Sequence, residues 1–559
     1  MSDPAHRARL WFWAALALTA LKLWLTDAQP ITGMGDLKHD DVLFLSLGES
    51  ILHGNWLGAY DNLTLAKGPF FPLLIAATRI VGIPLFLAQQ LLYAGACAAL
   101  VRACRPAIAS AGARFAFYAL LLWNPASFDT ANLSRVLRQH SYASLGLMVF
   151  AGIVALYFRR RENAARQIPW ALLLGFSFSA FYLTREDTIW IIPSLVLLAG
   201  SILFVARRES RALLVRSSAL LATAACCALL PILGVCALNA HYYGWFGTVE
   251  FRDPAFNDAY GALIRVRVGP EIPAVPVTRQ TREALYAISP TFAQLRPHLD
   301  GDIGRNWAAC SAHVTGLPAA ERQIGGSWFM WALRDAVLAA GQAHNYAEAH
   351  AFYRAMADEI NAACDAGRLP CGPRRSGFLP RWQDGQKTAV LKALPTFADY
   401  VVTFRNFSAY SPPSVGDPAS LALFRRMTGG KLAPMIEDPD PMQPLPLSGF
   451  RIRTLQKAGK FLRHFLFWLF IGAQICAFVR VAQCIARRQW TYPLTLAAAA
   501  WGGALAYLVI LAILHVTSFP VLAIAYCAST YPLVLLFVAA TAWDACTAWM
   551  PAPRPEAAK

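Results

Sequence analysis

Long apolar stretches, separated by short polar or basic segments, occupy both ends of this chain. Ten of them are close to the roughly 20 residues that a helix needs to cross a bilayer, namely 10–26, 84–104, 113–127, 140–158, 168–184, 188–206, 214–238, 461–483, 493–514 and 519–546. The apolar segment 69–83 is cut short by its prolines, and we expect it to form an interfacial or re-entrant helix. The pattern predicts an all-α polytopic membrane protein with about ten transmembrane helices.

A long polar segment between the seventh and eighth apolar stretches divides the chain into three parts. Residues 1–238 form a transmembrane module, residues 239–460 an insert, and residues 461–559 the last three spans with a short tail. Within the insert, apolar residues recur every three to four positions over 328–340 and 346–366, which predicts helices there.

A third helix of the insert carries signals at both of its ends. Asp417 is suited to the N-cap, Pro418 to the first turn and Gly429 to the stop. We therefore expect the insert to be mainly helical.

Composition and charge agree with a membrane location. Of the 559 residues, 57% are hydrophobic and 15% are charged, whereas a soluble globular chain is about one quarter charged. The basic loops 159–166, 206–216 and 486–490 belong in the cytoplasm by the positive-inside rule. Alternation of the spans then places both termini in the cytoplasm and the insert outside. The abundance of alanine and arginine indicates a bacterial inner membrane, with the insert in the periplasm.

The net charge of +17 would also suit a nucleic-acid-binding protein. The chain has no zinc-finger spacing, no RNA-binding aromatic motif and no basic tail. We therefore exclude nucleic acid as a partner and expect the basic loops to meet membrane lipid.

The acidic pair Asp40 and Asp41 follows the first span and precedes a predicted helix. Apolar residues recur at helical spacing over 42–56, so this helix is expected to lie along the membrane as an interfacial helix. One carboxylate could cap it, which contributes about 1 kcal/mol. A second carboxylate beside the first costs repulsion unless a cation or a proton relieves it. The pair is therefore a candidate for general-base catalysis on an acceptor hydroxyl, with helix capping as the alternative.

Cationic residues occupy other loops on the same predicted side of the membrane. Lys67, Arg138 and Arg185 together could neutralise the phosphate of a lipid at the outer leaflet. The alternative for Lys67 is that its ammonium only reaches toward the membrane interface. The alternative for Arg185 is that it only pairs with neighbouring acids.

Five further residues are candidates for substrate binding. They are Glu186 and Asp187 beside Arg185, His140 at the mouth of the fourth span, and His515 and Tyr526 near the last outer turn. A lone histidine such as His515 is more often a hydrogen-bonded structural residue.

Three cysteines lie in the insert, and most of the others lie in apolar spans. Cys364 and Cys371 could form a disulfide if the insert faces an oxidising compartment. Because Cys310 makes the number odd, the sequence leaves the pairing open.

The order of these motifs resembles the GT-C superfamily of membrane glycosyltransferases. The chain is most similar to the bacterial branch related to lipid A aminoarabinose transferase and to the protein O-mannosyltransferases. That pattern has an acidic pair after the first span, an amphipathic helix ending in Gly-Asp/Asn-Trp, and then Lys-Gly/Pro-Pro. Here it is met by Asp-Asp at 40–41, Gly-Asn-Trp at 54–56 and Lys-Gly-Pro at 67–69. The resemblance covers roughly residues 10–240 and, more loosely, the last spans.

The resemblance implies inverting transfer of a sugar from a polyprenyl-phosphate donor to a hydroxyl of a glycan, lipid or protein acceptor. Asp40 matches the catalytic base of the family, Lys67 the lysine that meets the donor phosphate, and Arg185 a basic residue of relatives. Relatives often have an acid near the mouth of the fourth span, where this chain has Arg-Gln-His-Ser-Tyr at 138–142. The second acid is then Glu186 or Asp187, or is absent.

The implied reaction requires no metal and no other cofactor. A divalent ion between Asp40 and Asp41 stays open, since some GT-C enzymes use one.

Two other functional classes also stay open. A transporter of lipid-linked sugars predicts charges near the bilayer midplane and paired halves, but the predicted spans contain few charges and the chain has no internal repeat. A non-catalytic partner in envelope polysaccharide assembly, built around the insert, predicts that Asp40 is replaceable.

Overall fold

The computed structural model describes residues 4–130, 133–435 and 449–549. Apart from isolated bridges, the regular structure of these residues is helical. The first part contains α1 (Pro4–Thr26), α2 (Asp41–Leu52), α3 (Phe70–Val81), α4 (Leu85–Ala103), α5 (Ala111–Leu122), α6 (Gln139–Phe158), α7 (Ala164–Tyr182), α8 (Ile192–Glu209) and α9 (Arg211–Tyr243). The insert contains α10 (Pro254–Arg265), α11 (Arg279–Ile288), α12 (Pro290–Ala293), α13 (Arg296–Leu299), α14 (Asp302–Thr315), α15 (Trp328–Ala339), α16 (Tyr346–Asp365), α17 (Gln386–Val402) and α18 (Pro418–Thr428). The last part contains α19 (Phe450–Arg487), α20 (Tyr492–Thr517), α21 (Ile524–Cys527) and α22 (Thr530–Trp549).

Within the described residues, eight helices are long and apolar enough to cross a membrane: α1, α4, α6, α8 with the turn before it, α9, α19, α20 and α22. The prediction of a helical membrane protein is confirmed, although about ten spans were expected. Two predicted spans correspond to helices α5 and α7, which are not among these eight. Helix α5 has 12 residues, fewer than the roughly 20 that a bilayer needs. Helix α7 has 19 residues but is less apolar, because Arg166 and Gln167 lie in its first turns.

Close helix packing fixes the ends of the spans around the candidate site. Helix α6 packs against α4 and α7, and α7 packs against α9. At Gly175 on α7, an added Cβ would lie 2.4 Å from the carbonyl oxygen of Ala224 on α9. Only glycine allows the two backbones to approach this closely. The segments that precede α6 and follow α7 are thereby held in a defined place.

Two short helices follow the first span, where an interfacial helix and an interfacial or re-entrant helix were predicted. Helices α2 and α3 pack together through Phe44 and Phe71, whose ring centroids are 5.1 Å apart in an edge-to-face arrangement. The insert helix α18 packs on both of them. A backbone bridge from Ile31 to Leu432 also joins the segment between α1 and α2 to the insert.

The insert has its own apolar core, in which α10 and α16 pack together. The helices predicted over 328–340 and 346–366 are present as α15 and α16. The predicted boundaries of α18 are also confirmed, since the Asp417 carboxylate accepts hydrogen bonds from the first backbone N–H groups. Gly429 follows the helix with a left-handed φ of 62°, as expected for a C-terminal glycine.

A buried ion pair within the insert contacts the loop between α2 and α3. Arg334 on α15 pairs with Glu250, and their side chains are 2% and 4% exposed. The Tyr60 hydroxyl donates a hydrogen bond to the same carboxylate. Arg334 Nε also donates to the carbonyl oxygen of Asn62 at 2.7 Å. These contacts hold α15 over the loop that carries Lys67.

One helix of the predicted insert packs with the transmembrane helices. Helix α17 lies against α20 and α22, and its Val390, Phe397 and Val401 are buried in the same apolar cluster as the spans. The tail at 550–559, predicted to be cytoplasmic, lies outside the described residues.

Cys364 and Cys371 form a disulfide, which is the pairing that the sequence left open. Cys310 on α14 is a free, exposed thiol.

The predicted orientation can be tested with this free thiol. In intact cells of a bacterial expression host, a membrane-impermeant maleimide should label Cys310, because the insert is expected to face outward. A cysteine at Arg161, whose side chain is 75% exposed between α6 and α7, should react only after permeabilisation. The Arg161→Cys change is made in a Cys310→Ser background, which alone serves as the blank. The reverse labelling pattern would contradict the orientation.

Candidate functional site

Asp40 and Lys67 form an ion pair at the start of α2. Asp40 occupies the N-cap position, but its side chain makes no capping hydrogen bond. The carboxylate instead accepts a hydrogen bond from the Lys67 ammonium. The Asp40 side chain is 50% exposed, whereas the Lys67 side chain is 8% exposed. Helix capping therefore does not explain Asp40.

Asp41, unlike Asp40, is fully buried. Its carboxylate pairs with the Arg135 guanidinium and accepts a hydrogen bond from the backbone N–H of Val136 at 3.1 Å. Burial, with a smaller contribution from the negative charge of Asp40, raises the pKa of Asp41 to about 6 despite Arg135. The neighbouring acids thus have different cationic partners and different environments.

Glu186 joins two loops of the site. Its carboxylate accepts two hydrogen bonds from Arg138, at 2.9 and 2.8 Å, a bidentate arrangement that fixes the guanidinium plane. The same carboxylate accepts a bond from the backbone N–H of Gly68 at 3.3 Å. Burial opposes ionisation, but Arg138 lowers the pKa of Glu186 to about 2. Glu186 is therefore ionised at neutral pH, and it positions Arg138 and Gly68.

Arg185 and Asp187 form the last pair of the cluster. Arg185 donates hydrogen bonds of 2.9 and 2.7 Å to the Asp187 carboxylate, and the Tyr142 hydroxyl donates to Asp187 at 3.4 Å. Arg252, from the insert, donates to the backbone carbonyl oxygens of Arg185 and Glu186 at 3.1 and 3.2 Å. The insert therefore helps to hold this turn.

We call these four contacts the ion-pair cluster. It consists of Asp40–Lys67, Asp41–Arg135, Arg138–Glu186 and Arg185–Asp187. With every group ionised the cluster contains four positive and four negative charges, so its formal net charge is zero. Bringing several charges to the edge of an apolar bundle is costly unless they are paired in this way.

The two members of the first pair have shifted pKa values. Partial burial opposes ionisation of Asp40, but the charge and hydrogen bond of Lys67 outweigh it and lower the pKa of Asp40 below its ordinary value. Burial lowers the pKa of Lys67, although Asp40 acts in the opposite direction. Lys67 also lies against the Phe44 ring, 5.0 Å from its centroid.

Tyr526 lies near the cluster, since the charges of Asp40 and Arg185 act on it; burial is the main cause that raises the pKa of its hydroxyl. The two predicted histidines lie in other surroundings. His140 is buried on α6, with Phe86 and Tyr93 packed edge-on against its ring. His515 accepts a hydrogen bond from the backbone N–H of Val521 at 3.2 Å and packs against Phe397. These contacts are of the kind expected for the structural alternative, and a role of His515 in substrate binding stays a prediction.

The arrangement does not suit a divalent ion between Asp40 and Asp41. Both carboxylates already bind cationic side chains, and Asp41 has no exposed surface. Among the residues that the structure describes, no group of three or more His, Cys, Asp or Glu side chains could hold a metal ion.

Three residues that complete the site were not among the predicted site residues. Arg135 lies in the segment before the fourth span, and its closeness to Arg138 in the sequence was the available signal. Arg252 and Trp331 come from the insert, and Trp331 lies 5.6 Å from the Lys67 ammonium, measured to its ring centroid. Both lie far along the chain from the residues that they contact, so the sequence gave no signal of these contacts.

Comparison of the chain with family models, with curated proteins and with solved structures finds no match.

Gly68 offers a test of how the loops of the site fit together. An added Cβ at Gly68 would lie 2.0 Å from the carbonyl oxygen of Leu183, so Gly68→Ala must push the two loops apart. We expect a loss of about 1–3 kcal/mol of stability, measured by unfolding of the detergent-solubilised protein. Gly200→Ala is the control, because an added Cβ there has no neighbour within 4 Å. Equal stability of the two variants would show that the loops are not closely fitted.

The titration of Asp41 predicts how stability depends on pH. Its pKa rises from 3.8 to about 6 on folding, so the folded chain binds this proton more tightly than the unfolded chain. The stabilisation is therefore complete below about pH 4 and is lost as the pH rises through about 6. Melting temperatures of wild type and Asp41→Asn should converge or cross over this range, with wild type losing more stability as pH increases. Parallel curves would mean that Asp41 does not titrate there.

Proposed function

We propose that the chain is a GT-C-type membrane glycosyltransferase. It transfers a sugar, with inversion, from a polyprenyl-phosphate donor to an acceptor hydroxyl at the outer face of a bacterial inner membrane. The acceptor is a glycan, a lipid or a protein. The proposal combines the motif order of the sequence with the geometry of the ion-pair cluster.

The observation that carries the proposal is the contrast within the Asp40–Lys67 pair. The carboxylate is half exposed, and the ammonium is almost completely buried. An accessible carboxylate can reach a hydroxyl that arrives from solution, as a general base must. A buried ammonium beside it attracts a phosphate strongly, because little water competes for its charge. The pair therefore suits a reaction between a hydroxyl and a phosphate-linked group.

The resting pair is not yet an effective base. Lys67 lowers the pKa of Asp40, and a carboxylate with a low pKa holds a proton weakly. An ammonium has three N–H donors, so Lys67 can also bind a donor phosphate. When it turns toward that phosphate, the main cause of the low pKa of Asp40 is weakened. Donor binding thereby prepares Asp40 to accept the proton.

The charges balance through the proposed transfer. The acceptor hydroxyl gives its proton to Asp40, and the oxygen attacks the anomeric carbon. The bond from that carbon to the phosphate oxygen breaks, and its electron pair remains on the phosphate. Asp40 loses a negative charge as the leaving phosphate gains one, so Lys67 exchanges one anionic partner for another. Fixed cations near a developing negative charge stabilise the transition state.

Arg138 and Arg185 have a different role in this proposal from that of Lys67. Each guanidinium is held by an acid in a two-point contact, Arg138 by Glu186 and Arg185 by Asp187. Arg138 lies 5.7 Å from the centroid of the Phe44 ring, on which Lys67 also rests. In this proposal they bind the donor phosphate through their N–H groups while they stay paired with their acids. Glu186 and Asp187 thus orient cations and are not the second catalytic acid.

The position of buried charges does not favour the transporter alternative. Lys22 is buried in α1, about one turn from the end of that helix. Arg480 and Asp544 form a buried pair within about two turns of the ends of α19 and α22. These charges lie toward helix ends, whereas a transport site is expected near the middle of the bilayer.

Replacement of the proposed base tests the function. Asp40→Asn should lower turnover by about 100-fold or more, because an amide cannot accept the proton, while the protein stays folded. Purified protein is incubated with polyprenyl-phosphate sugars and candidate acceptors, and release of polyprenyl phosphate is followed. Asp27→Asn is the matched control, since Asp27 is also an exposed acid that pairs with an arginine, Arg451.

The outcomes separate the functional classes. Turnover in wild type and Asp27→Asn, lost in Asp40→Asn, would support a transferase with Asp40 as its base. Wild-type turnover in Asp40→Asn would remove that residue from the mechanism. If no donor gives turnover, movement of the same lipids across vesicles would point to a transporter.

A further inference from the structure

Three aromatic side chains stand beside the Asp40–Lys67 pair. The ring of His39, the residue before Asp40, packs edge-on against Trp307 and Trp331, with centroid distances of 4.8 and 5.2 Å. All three are partly exposed. We call this group the aromatic wall. Two of its members come from the insert, so the insert contributes directly to the edge of the candidate site.

Asp335 holds the aromatic wall together. Its carboxylate accepts a hydrogen bond of 2.7 Å from the Trp307 indole N–H and lies 3.3 Å from His39 Nε2. It also accepts a bond from the Asn62 side chain. Asp335 follows Trp331 by one turn on α15, so one helix positions both. The preceding Arg334 is held by its buried pair with Glu250.

Trp331 connects the aromatic wall to the proposed phosphate site. Its ring centroid lies 5.6 Å from Lys67 Nζ, and Phe251 supports the indole edge-on at 5.1 Å. An indole that served only to fill the core would be buried. Trp331 instead retains exposed surface next to the half-exposed Asp40.

We propose that the aromatic wall, and Trp331 above all, binds the sugar ring of the lipid-linked donor by stacking. This proposal rests on the proposed transferase function and adds the residues that hold the donor sugar. The sugar of such a donor is bonded directly to the phosphate. A phosphate held by Lys67 therefore brings the sugar ring within reach of Trp331.

The chemistry of the aromatic wall matches that ligand. A sugar ring presents C–H groups on its faces and hydroxyl groups around its rim. Aromatic rings offer broad apolar surfaces at a low cost in side-chain entropy, and His39 and Asp335 supply polar groups for the rim. Holding the ring in this way would also fix the anomeric carbon relative to Asp40, which is the positioning that a displacement needs.

The test compares lipids that differ only in the sugar. Binding of bare polyprenyl phosphate and of the same lipid carrying glucose, mannose, galactose or arabinose is measured on the full-length protein in detergent. Wild type should bind at least one sugar-bearing lipid more tightly than the bare lipid. Trp331→Ala should weaken binding of that lipid by about 3- to 10-fold and leave the bare lipid unchanged. Trp331→Phe keeps an aromatic ring and should retain most of the difference.

Two controls separate stacking from a general loss of structure. Trp382→Ala removes an exposed tryptophan elsewhere in the insert and should bind every lipid as wild type does. Lys67→Met should weaken binding of all the lipids, because it removes the phosphate contact.

Each remaining outcome overturns a defined part of the proposal. If Trp331→Ala keeps the full preference for the sugar-bearing lipid, the wall does not bind the donor sugar. If it keeps that preference but raises only the KM for the acceptor, the wall belongs to the acceptor. Equal binding of all five lipids by wild type overturns the sugar site, whereas no binding of any lipid by wild type overturns the transferase function as well.

Discussion

Paired charge at one end of a helical membrane bundle is the constraint on which the candidate site depends. A charge in the bilayer interior costs roughly 3 kcal/mol even on scales that allow it to adapt, and a buried charge without a partner is strongly destabilising. The chain meets this constraint with contacts between segments far apart in sequence. Asp41 pairs with Arg135, and Arg138 pairs with Glu186, so each of these two ion pairs also joins two loops. The ion pairs that stabilise these charges are therefore also the contacts that hold the loops of the site together.

Within this network the Asp40–Lys67 pair differs from the others. Asp41 is completely buried, and Glu186 is held by a two-point contact with Arg138. In contrast, half of the Asp40 side-chain surface is exposed. The pair can therefore exchange partners at a small structural cost while the rest of the cluster stays fixed. This division between one accessible pair and three less accessible pairs suits the proposed transfer.

The insert is part of the site and not an appendage to it. Arg334 and Glu250 anchor α15 over the loop between α2 and α3. Arg252 supports the turn at Arg185, and Trp331 reaches Lys67. A chain without this insert would lose both tryptophans of the aromatic wall. Under the proposed function, the insert is the part of the chain that contacts the donor sugar.

The sequence by itself determined the helical membrane architecture, because apolar length and periodicity are local properties that a bilayer enforces strictly. It also determined the ends of α18, where Asp417 and Gly429 act within one turn of the backbone they terminate. It identified Asp40 as a candidate but not its partner, since capping and ion pairing are equally compatible with an acid before a helix. Only the tertiary structure decided that Lys67 is that partner and that Trp331 stands beside them. Such contacts depend on how distant segments pack, and no local pattern of residues records that.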